Sequence, residues 1–166
     1  MPRDKQYGSE RTSKSGKVRL EIFDATGEVV YRAYIEDGSK GLRGAKLESF
    51  VAPFAQLQGL DMSGASLYWA SLGGADMSFA DLSDTDLRGA SLDEAICHST
   101  KFRGANFGRS NVGGAASLRG TDLSTADLEG ANLDGAMFDS STLFPPGLDP
   151  IARGMIRVEA RKSSED

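Results

Sequence analysis

From Leu42 onward an apolar residue returns at every fifth position. The series runs Leu42, Leu47, Ala52, Leu57, Met62, Leu67, Leu72, Met77, Leu82, Leu87, Leu92, Cys97, Phe102, Phe107 and Val112. It then slips by one residue and resumes as Leu118, Leu123, Leu128, Leu133, Phe138 and Leu143. A small residue stands two places before most of these, from Ala45 through Ala65, Ala80, Thr100 and Ala126 to Ser141. A period of five fits neither a helix at about 3.6 nor a continuous strand at about 2. Within each unit, however, the two inward positions are two apart, which is strand spacing. The unit must then turn a corner to reset. Short extended pieces joined by corners make a coil whose sides face a shared axis. Units that cannot bury an apolar face alone must stack on their neighbours.

Units such as Ala80-Asp81-Leu82-Ser83-Asp84, Ala105-Asn106-Phe107-Gly108-Arg109, Ala126-Asp127-Leu128-Glu129-Gly130 and Ala131-Asn132-Leu133-Asp134-Gly135 resemble the pentapeptide-repeat proteins. The resemblance implies an all-β fold, a right-handed quadrilateral β-helix of about five coils with four units per coil. Every twentieth residue then shares a side. The first side is expected to hold Leu42, Met62, Leu82, Phe102, Leu123 and Leu143, and the second Leu47, Leu67, Leu87, Phe107 and Leu128. The third is expected to hold Ala52, Leu72, Leu92, Val112 and Leu133, and the fourth Leu57, Met77, Cys97, Leu118 and Phe138. Phe102 and Phe107 become neighbours across a corner. The slip at Gly113-Gly114-Ala115-Ala116 reads as a one-residue bulge tolerated by glycine. Phe50 in a small position and Ala52 in a large one predict a distorted first coil.

A solenoid exposes backbone edges at both ends and needs caps. Val18, Leu20 and Ile22 alternate with polar residues, Asp24 to Glu28 reads as a turn, and Val29, Tyr31, Ala33 and Ile35 alternate again. This predicts a β-hairpin cap. At the other end Pro145-Pro146 halts the coil. Asp149-Pro150 resembles a helix start, with a strand following over Met155 to Glu159. The chain divides into a disordered tail (1–16), a hairpin cap (17–38), the repeat β-helix (39–143), and a C-terminal cap and tail (144–166).

Charge sharpens the picture. The net charge is −5, and residues 42–143 carry seven Lys/Arg against thirteen Asp/Glu. An acidic repeat surface disfavours nucleic acid as a direct ligand, because phosphate binding needs clustered cations. It is compatible with a basic protein partner. No apolar run reaches the ~18 residues of a membrane helix, and residues 1–16 lack the apolar core of a signal peptide. With one cysteine there is no internal disulfide, which points to a reducing, cytoplasmic setting.

Candidate chemistry is sparse. Cys97 falls in an inward column and reads as a small core hydrophobe. His98 is the next, outward residue, so the two cannot act as a catalytic pair. The expected packed interior leaves no pocket for catalysis, and no cofactor or metal is implied. The densest acidic area places Asp61, Asp81, Lys101 and Asp122 in one outward column, with Asp86 and Asp127 in the next. Asp and Asn also suit this position for local hydrogen bonding at turns. Outward aromatics are the stronger lead: Tyr68, Trp69 and Phe79, with an apolar patch expected if Ile96, Met137 and Phe79 share one side. Tyr and Trp are favoured binding anchors; the alternative is that they pack over neighbouring corners.

The reading is a non-enzymatic scaffold that presents a rigid, mildly acidic surface to a protein partner, as a monomer or as a dimer through one end. The candidate contact residues are Tyr68, Trp69, Phe79, Asp61, Asp81, Asp86, Asp122 and Asp127. Some members of the resembled family mimic DNA, bind type II topoisomerases and protect them from quinolones, which supplies one alternative. Five coils at ~4.8 Å per strand give a rod of only ~24 Å, about seven base pairs at ~3.4 Å each. A structural part docking through a solenoid end is the other alternative.

Overall fold

The computed structural model describes residues 9–11, 17–36 and 41–160, and the regular structure among them is all extended. The chain is a right-handed quadrilateral β-helix of five coils. Its strand segments are so short that most pair through single bridges. Asp61 pairs with Asp81 and Asp81 with Lys101 on the first side, and Ser66 with Asp86 and Asp86 with Asn106 on the second. Ser71 pairs with Ser91 on the third side and Asp76 with Ile96 on the fourth. Each inward residue donates its N–H to the following coil, as Leu67 does to the Asp86 carbonyl at 2.9 Å, while Asp86 N–H returns to the Ala65 carbonyl at 3.0 Å.

The interior is filled by apolar side chains. Leu57, Met62, Leu67, Leu72, Met77, Leu82, Leu87 and Leu92 are fully buried, as is Cys97. Burying each leucine-sized side chain stabilises the fold by ~1.5–3 kcal/mol. Phe102 and Phe107 meet edge to face across a corner, with centroids 5.2 Å apart. Where threonine replaces alanine in the small position, its hydroxyl is satisfied by backbone. Thr85 donates to the Leu82 carbonyl at 2.7 Å, Thr100 to Met77 at 2.8 Å and Thr121 to Leu92 at 2.7 Å.

Two interruptions correct the expected columns. Past the second side of the fourth coil the spacing between paired residues rises to 26: Ser91 with Ser117, Ile96 with Asp122, Lys101 with Asp127, Asn106 with Asn132. Against a regular spacing of 20, the chain has gained six residues rather than one. Residues 109–115 leave the coil as a loop, and Val112 lies on the surface, 77% exposed, instead of in the third column. Every later unit therefore sits one side earlier than expected. Leu118 and Phe138 belong to the third side, Leu123 to the fourth, Leu128 to the first and Leu133 to the second. The true one-residue bulge comes later, where Asp122 pairs with Leu143, 21 residues on. There Thr142 is buried in place of Ser141, and Leu143 turns outward, 52% exposed, while Phe144 turns in against Phe138 at 5.5 Å.

The first coil is not distorted. Its bridges from Gly41, Lys46, Val51 and Gln56 all keep the regular spacing. Phe50 is accommodated because its ring packs edge to face on Tyr31 of the N-terminal sheet, 5.2 Å away. That sheet has three antiparallel strands, β1 (Ser9–Arg11), β2 (Lys17–Phe23) and β3 (Val29–Glu36), in that order. Ser9–Arg11 pair with β2, which corrects the expected tail over 1–16 at these residues; residues 1–8, 12–16 and 37–40 lie outside the described residues. Leu20 and Ile22 enter the common core, and Gln56 N–H donates to the Phe23 carbonyl at 2.7 Å, tying the sheet to the fourth side. At the other end the last coil contributes β4 (Met137–Phe138), which pairs in parallel with β5 (Ile156–Arg157). Asp149 accepts from the N–H groups of Ile151 and Ala152 at 2.9 and 3.1 Å, but only turns follow before Gly154. Met155 is buried beneath them. The tail expected at 161–166 lies outside the described residues.

Candidate interaction surface

The corners dictate what the surface can carry. Most units place one residue in the left-handed region, where glycine costs least, and Gly44, Gly64, Gly104 and Gly130 fill it on the first side. The outward Asp or Asn two positions before the corner-adjacent N–H accepts from it. Ser63 N–H donates to Asp61 at 3.0 Å, Ser78 to Asp76 at 2.9 Å, Ser83 to Asp81 at 3.0 Å and Ser124 to Asp122 at 3.0 Å. The recurring carboxylates are first of all turn-forming groups.

They are also largely neutralised on the spot. On the first side Arg43 meets Asp61 at 2.6 Å and Lys101 meets Asp81 at 3.6 Å. Arg103 bridges Asp127 at 3.1 Å and Glu129 at 2.6 Å. On the second side Arg88 grips Asp86 with two nitrogens, at 2.6 and 2.8 Å. The expected acidic column is thereby corrected: Asp127, not Asp122, follows Lys101, because the six-residue loop moves both by one side. Asp122 instead joins Asp76 and Ile96 on the fourth side, where its partner is His98 at 2.8 Å.

All five candidate carboxyls lie below the ordinary carboxylate range. For Asp86 the Arg88 hydrogen bond is the main cause. For Asp122 it is the Ser124 hydroxyl, and for Asp127 the Glu129 N–H. Burial pushes Asp61 and Asp81 upward, but Ser63 and Ser83 together with Arg43 and Lys101 outweigh it. Cys97 is fully buried and its thiol is pushed far up by desolvation, while His98 faces outward. Among the described residues no group of three His, Cys, Asp or Glu side chains could hold a metal ion.

The aromatic candidates separate into two kinds. Trp69 occupies a left-handed corner at φ 58°, and its indole lies over two glycines. A Cβ on Gly89 would come within 2.8 Å of the ring, and one on Gly114, in the extruded loop, would overlap it. Tyr68 stands edge-on to Trp69 at 6.4 Å and carries the Arg88 guanidinium over its ring at 5.4 Å. Tyr68, Trp69 and Asp86 thus form one packed group on the second side. Phe54, which sequence reasoning missed, does the same at a third-side corner, with φ 58° and its ring over Gly74. The signal was its place two residues after Ala52, in the corner register.

Phe79 differs. It holds φ 62° at the corner closing the fourth side and is 69% exposed. Phe54 and Trp69 each lie over the corner one coil further on, Gly74 and Gly89, whereas for Phe79 that corner is Ser99, itself left-handed at φ 54° and not a glycine. Ile96 lies on the same side, 40% exposed, bridged between Asp76 and Asp122. Met137 does not share this side; it stacks on Ser117 in the third.

Among the described residues no helix is long and apolar enough to cross a membrane. A family model described as pentapeptide repeats matches residues 42–78, 70–109 and 114–143. No curated protein matches the chain. Among solved structures, alr5209, a pentapeptide repeat protein from Nostoc PCC 7120, is 28% identical over 73% of this chain and 87% of its own, with a TM-score of 0.27. HetL, a pentapeptide repeat protein from Nostoc sp. strain PCC 7120 involved in heterocyst differentiation regulation, is 28% identical over 72% of this chain and 59% of its own, with a TM-score of 0.38. QnrB1, a plasmid-mediated fluoroquinolone resistance protein, is 18% identical over 72% of this chain and 87% of its own, with a TM-score of 0.19.

Proposed function

Because the chain belongs to the pentapeptide-repeat family, we propose that it is a non-enzymatic cytoplasmic scaffold that presents a rigid coil surface to a protein partner. Phe79 carries this reading. A non-glycine residue in the left-handed region costs about 1–2 kcal/mol. Trp69 and Phe54 recover that cost by covering Gly89, Gly114 and Gly74. Phe79 has no glycine beneath it and is the most exposed of the three, 69% against 58% for Phe54 and 43% for Trp69, so it has the most apolar surface left for a partner to bury. Strain of this kind collects at sites of contact, and a partner that buries the ring offsets it.

The DNA-mimic alternative draws less support. A mimic of the phosphate backbone needs rows of unneutralised anions, whereas Asp61, Asp81, Asp86 and Asp127 each meet an Arg or Lys of this chain. Docking through an end also draws less support, since β1–β3 cover one end and Phe144, Leu148 and Met155 pack at the other.

Phe79→Gly tests the proposal. The variant should be as stable as the native chain, or more stable by about 1 kcal/mol, because glycine relieves the corner. It should also lose the partner in affinity capture from native lysate. Undiminished capture, or a loss of stability in chemical denaturation, would assign Phe79 to packing instead.

A further inference from the structure

The four sides differ in where their cations are. The first side carries Arg43, Lys101 and Arg103, the second Lys46, Arg88 and Arg109, and the third Arg119. The units that build the fourth side are Ala55–Gly59, Ala75–Phe79, Ala95–Ser99, Thr121–Thr125 and the Thr142–Pro146 segment. They contain no Lys or Arg.

This is the side on which Phe79 and Ile96 are exposed. Ile96 sits between two carboxylates in one ladder, with Asp76 on the coil before it and Asp122 on the coil after. At the strand spacing of ~4.8 Å the two carboxylates stand about 10 Å apart with the isoleucine between them. Asp76 is bonded to Gln58 at 2.6 Å and Asp122 to His98 at 2.8 Å, so neither meets a lysine or arginine here. Lys101 lies round the corner and faces Asp81 at 3.6 Å.

We infer that the fourth side is the docking face, and that it takes a protein segment in which an apolar anchor is flanked by Lys or Arg. This rests on the scaffold reading and deepens it by naming the partner's chemistry. The anchor buries against Phe79 and Ile96. The flanking cations supply what Asp76 and Asp122 lack within the chain. Charge arranged this way acts mainly on partner choice and encounter rate, while the aromatic contact supplies most of the affinity. The fitting segment is one that lies across the ladder and straddles Ile96.

The test is a selection of phage-displayed random short peptides on the whole native chain. The probes that decide it are synthetic copies of the enriched peptides. They should carry an aromatic or aliphatic residue with Lys or Arg on both sides. Phe79→Gly should weaken their binding at least about tenfold, the effect of losing a central aromatic anchor. The double variant Asp76→Asn with Asp122→Asn keeps an oxygen for the Ser78 and Ser124 N–H groups and so preserves the corners. It should weaken binding about fivefold or more, and added salt should erase the difference. Thermal unfolding of both variants verifies that they are folded. Peptides that need Phe79 but show no cation preference and ignore the double variant would overturn the charge inference and leave the scaffold reading standing. No enrichment, or enriched peptides indifferent to Phe79→Gly, would overturn both.

Discussion

The coil is interrupted twice, and the two places handle excess chain by different means. Around residues 109–115 six extra residues are expelled. The loop closes on itself through Ser110 N–H to the Gly114 carbonyl at 2.6 Å and Gly114 N–H to the Ser110 hydroxyl at 3.0 Å. An indole from two coils earlier in the stack lies on its glycine. Near residue 140 a single extra residue is absorbed without leaving the wall. Asp139 collects it by accepting from Ser141 N–H at 2.9 Å, Ser141 hydroxyl at 2.6 Å and Gly120 N–H at 3.2 Å, while Thr142 donates to the Leu118 carbonyl at 2.8 Å. A small excess is accommodated by polar groups within the wall. A large one has to be put outside and held down by an apolar lid.

Both devices are set against the regular coil, where stability should concentrate. Leu87→Ala opens a cavity at a fully buried position and should cost ~2–5 kcal/mol. A loss below about 1 kcal/mol in chemical denaturation would erase the contrast between wall and interruptions. Next comes the lid. Gly114→Ala drives a methyl into the Trp69 ring and should cost about 1–3 kcal/mol by overpacking. Tryptophan emission should shift to the red as the ring is displaced, and adding Trp69→Ala should recover part of the loss. If the double variant shows no recovery, the ring is not what holds the loop.

The polar device should be weaker and pH-sensitive. Asp139→Ala orphans several donors and should cost about 1–2 kcal/mol at neutral pH. Burial pushes the Asp139 carboxyl upward, but the Ser141 hydroxyl and N–H with Gly120 and Thr142 hold it below its ordinary value. A depressed folded-state value means that the charged form stabilises the fold. That contribution is complete above about pH 4, the ordinary carboxylate value, and is lost as the pH falls through the folded value. Denaturation curves of Asp139→Asn should therefore change less between pH 5 and 3 than those of the native chain; equal slopes would remove Asp139 from this role. The smallest effects belong to the residues put outside. Val112→Ala and Leu143→Ala should each cost less than about 0.5 kcal/mol, and larger losses would mean that the loop or the bulge packs more tightly than its exposure implies.

The period of five made the coil legible, because inward spacing, corner residues and the Phe102–Phe107 contact follow from position alone. Where the chain is interrupted, phase alone was not enough. One extra residue and six extra residues leave the same remainder in a five-residue count, so Val112 looked like a core position. The shift at Thr142 was hidden because Leu143 happens to be apolar in the old phase. The same ambiguity misplaced Asp122 and Asp127, whose true neighbours depend on knowing how much chain left the wall. Asp76 was missed because nothing in the sequence reveals which carboxylates lack a cation. That becomes visible only once Arg43, Lys101, Arg103 and Arg88 have been matched to their partners. Trp69 and Phe79 look equivalent as letters in a corner register. They differ in whether glycines lie beneath the ring.

The expelled loop does more than store surplus chain. Its length works as a dial: each whole unit added or removed there gives everything downstream a quarter turn without altering a single downstream residue. Asp122 stands beside Ile96, rather than beside Lys101, because of that setting alone. A deletion or duplication at this corner would re-address every unit from Ala116 onward in one step while leaving the packed interior intact. Repeat coils of this kind can thus change which side chains meet a partner by editing length instead of identity.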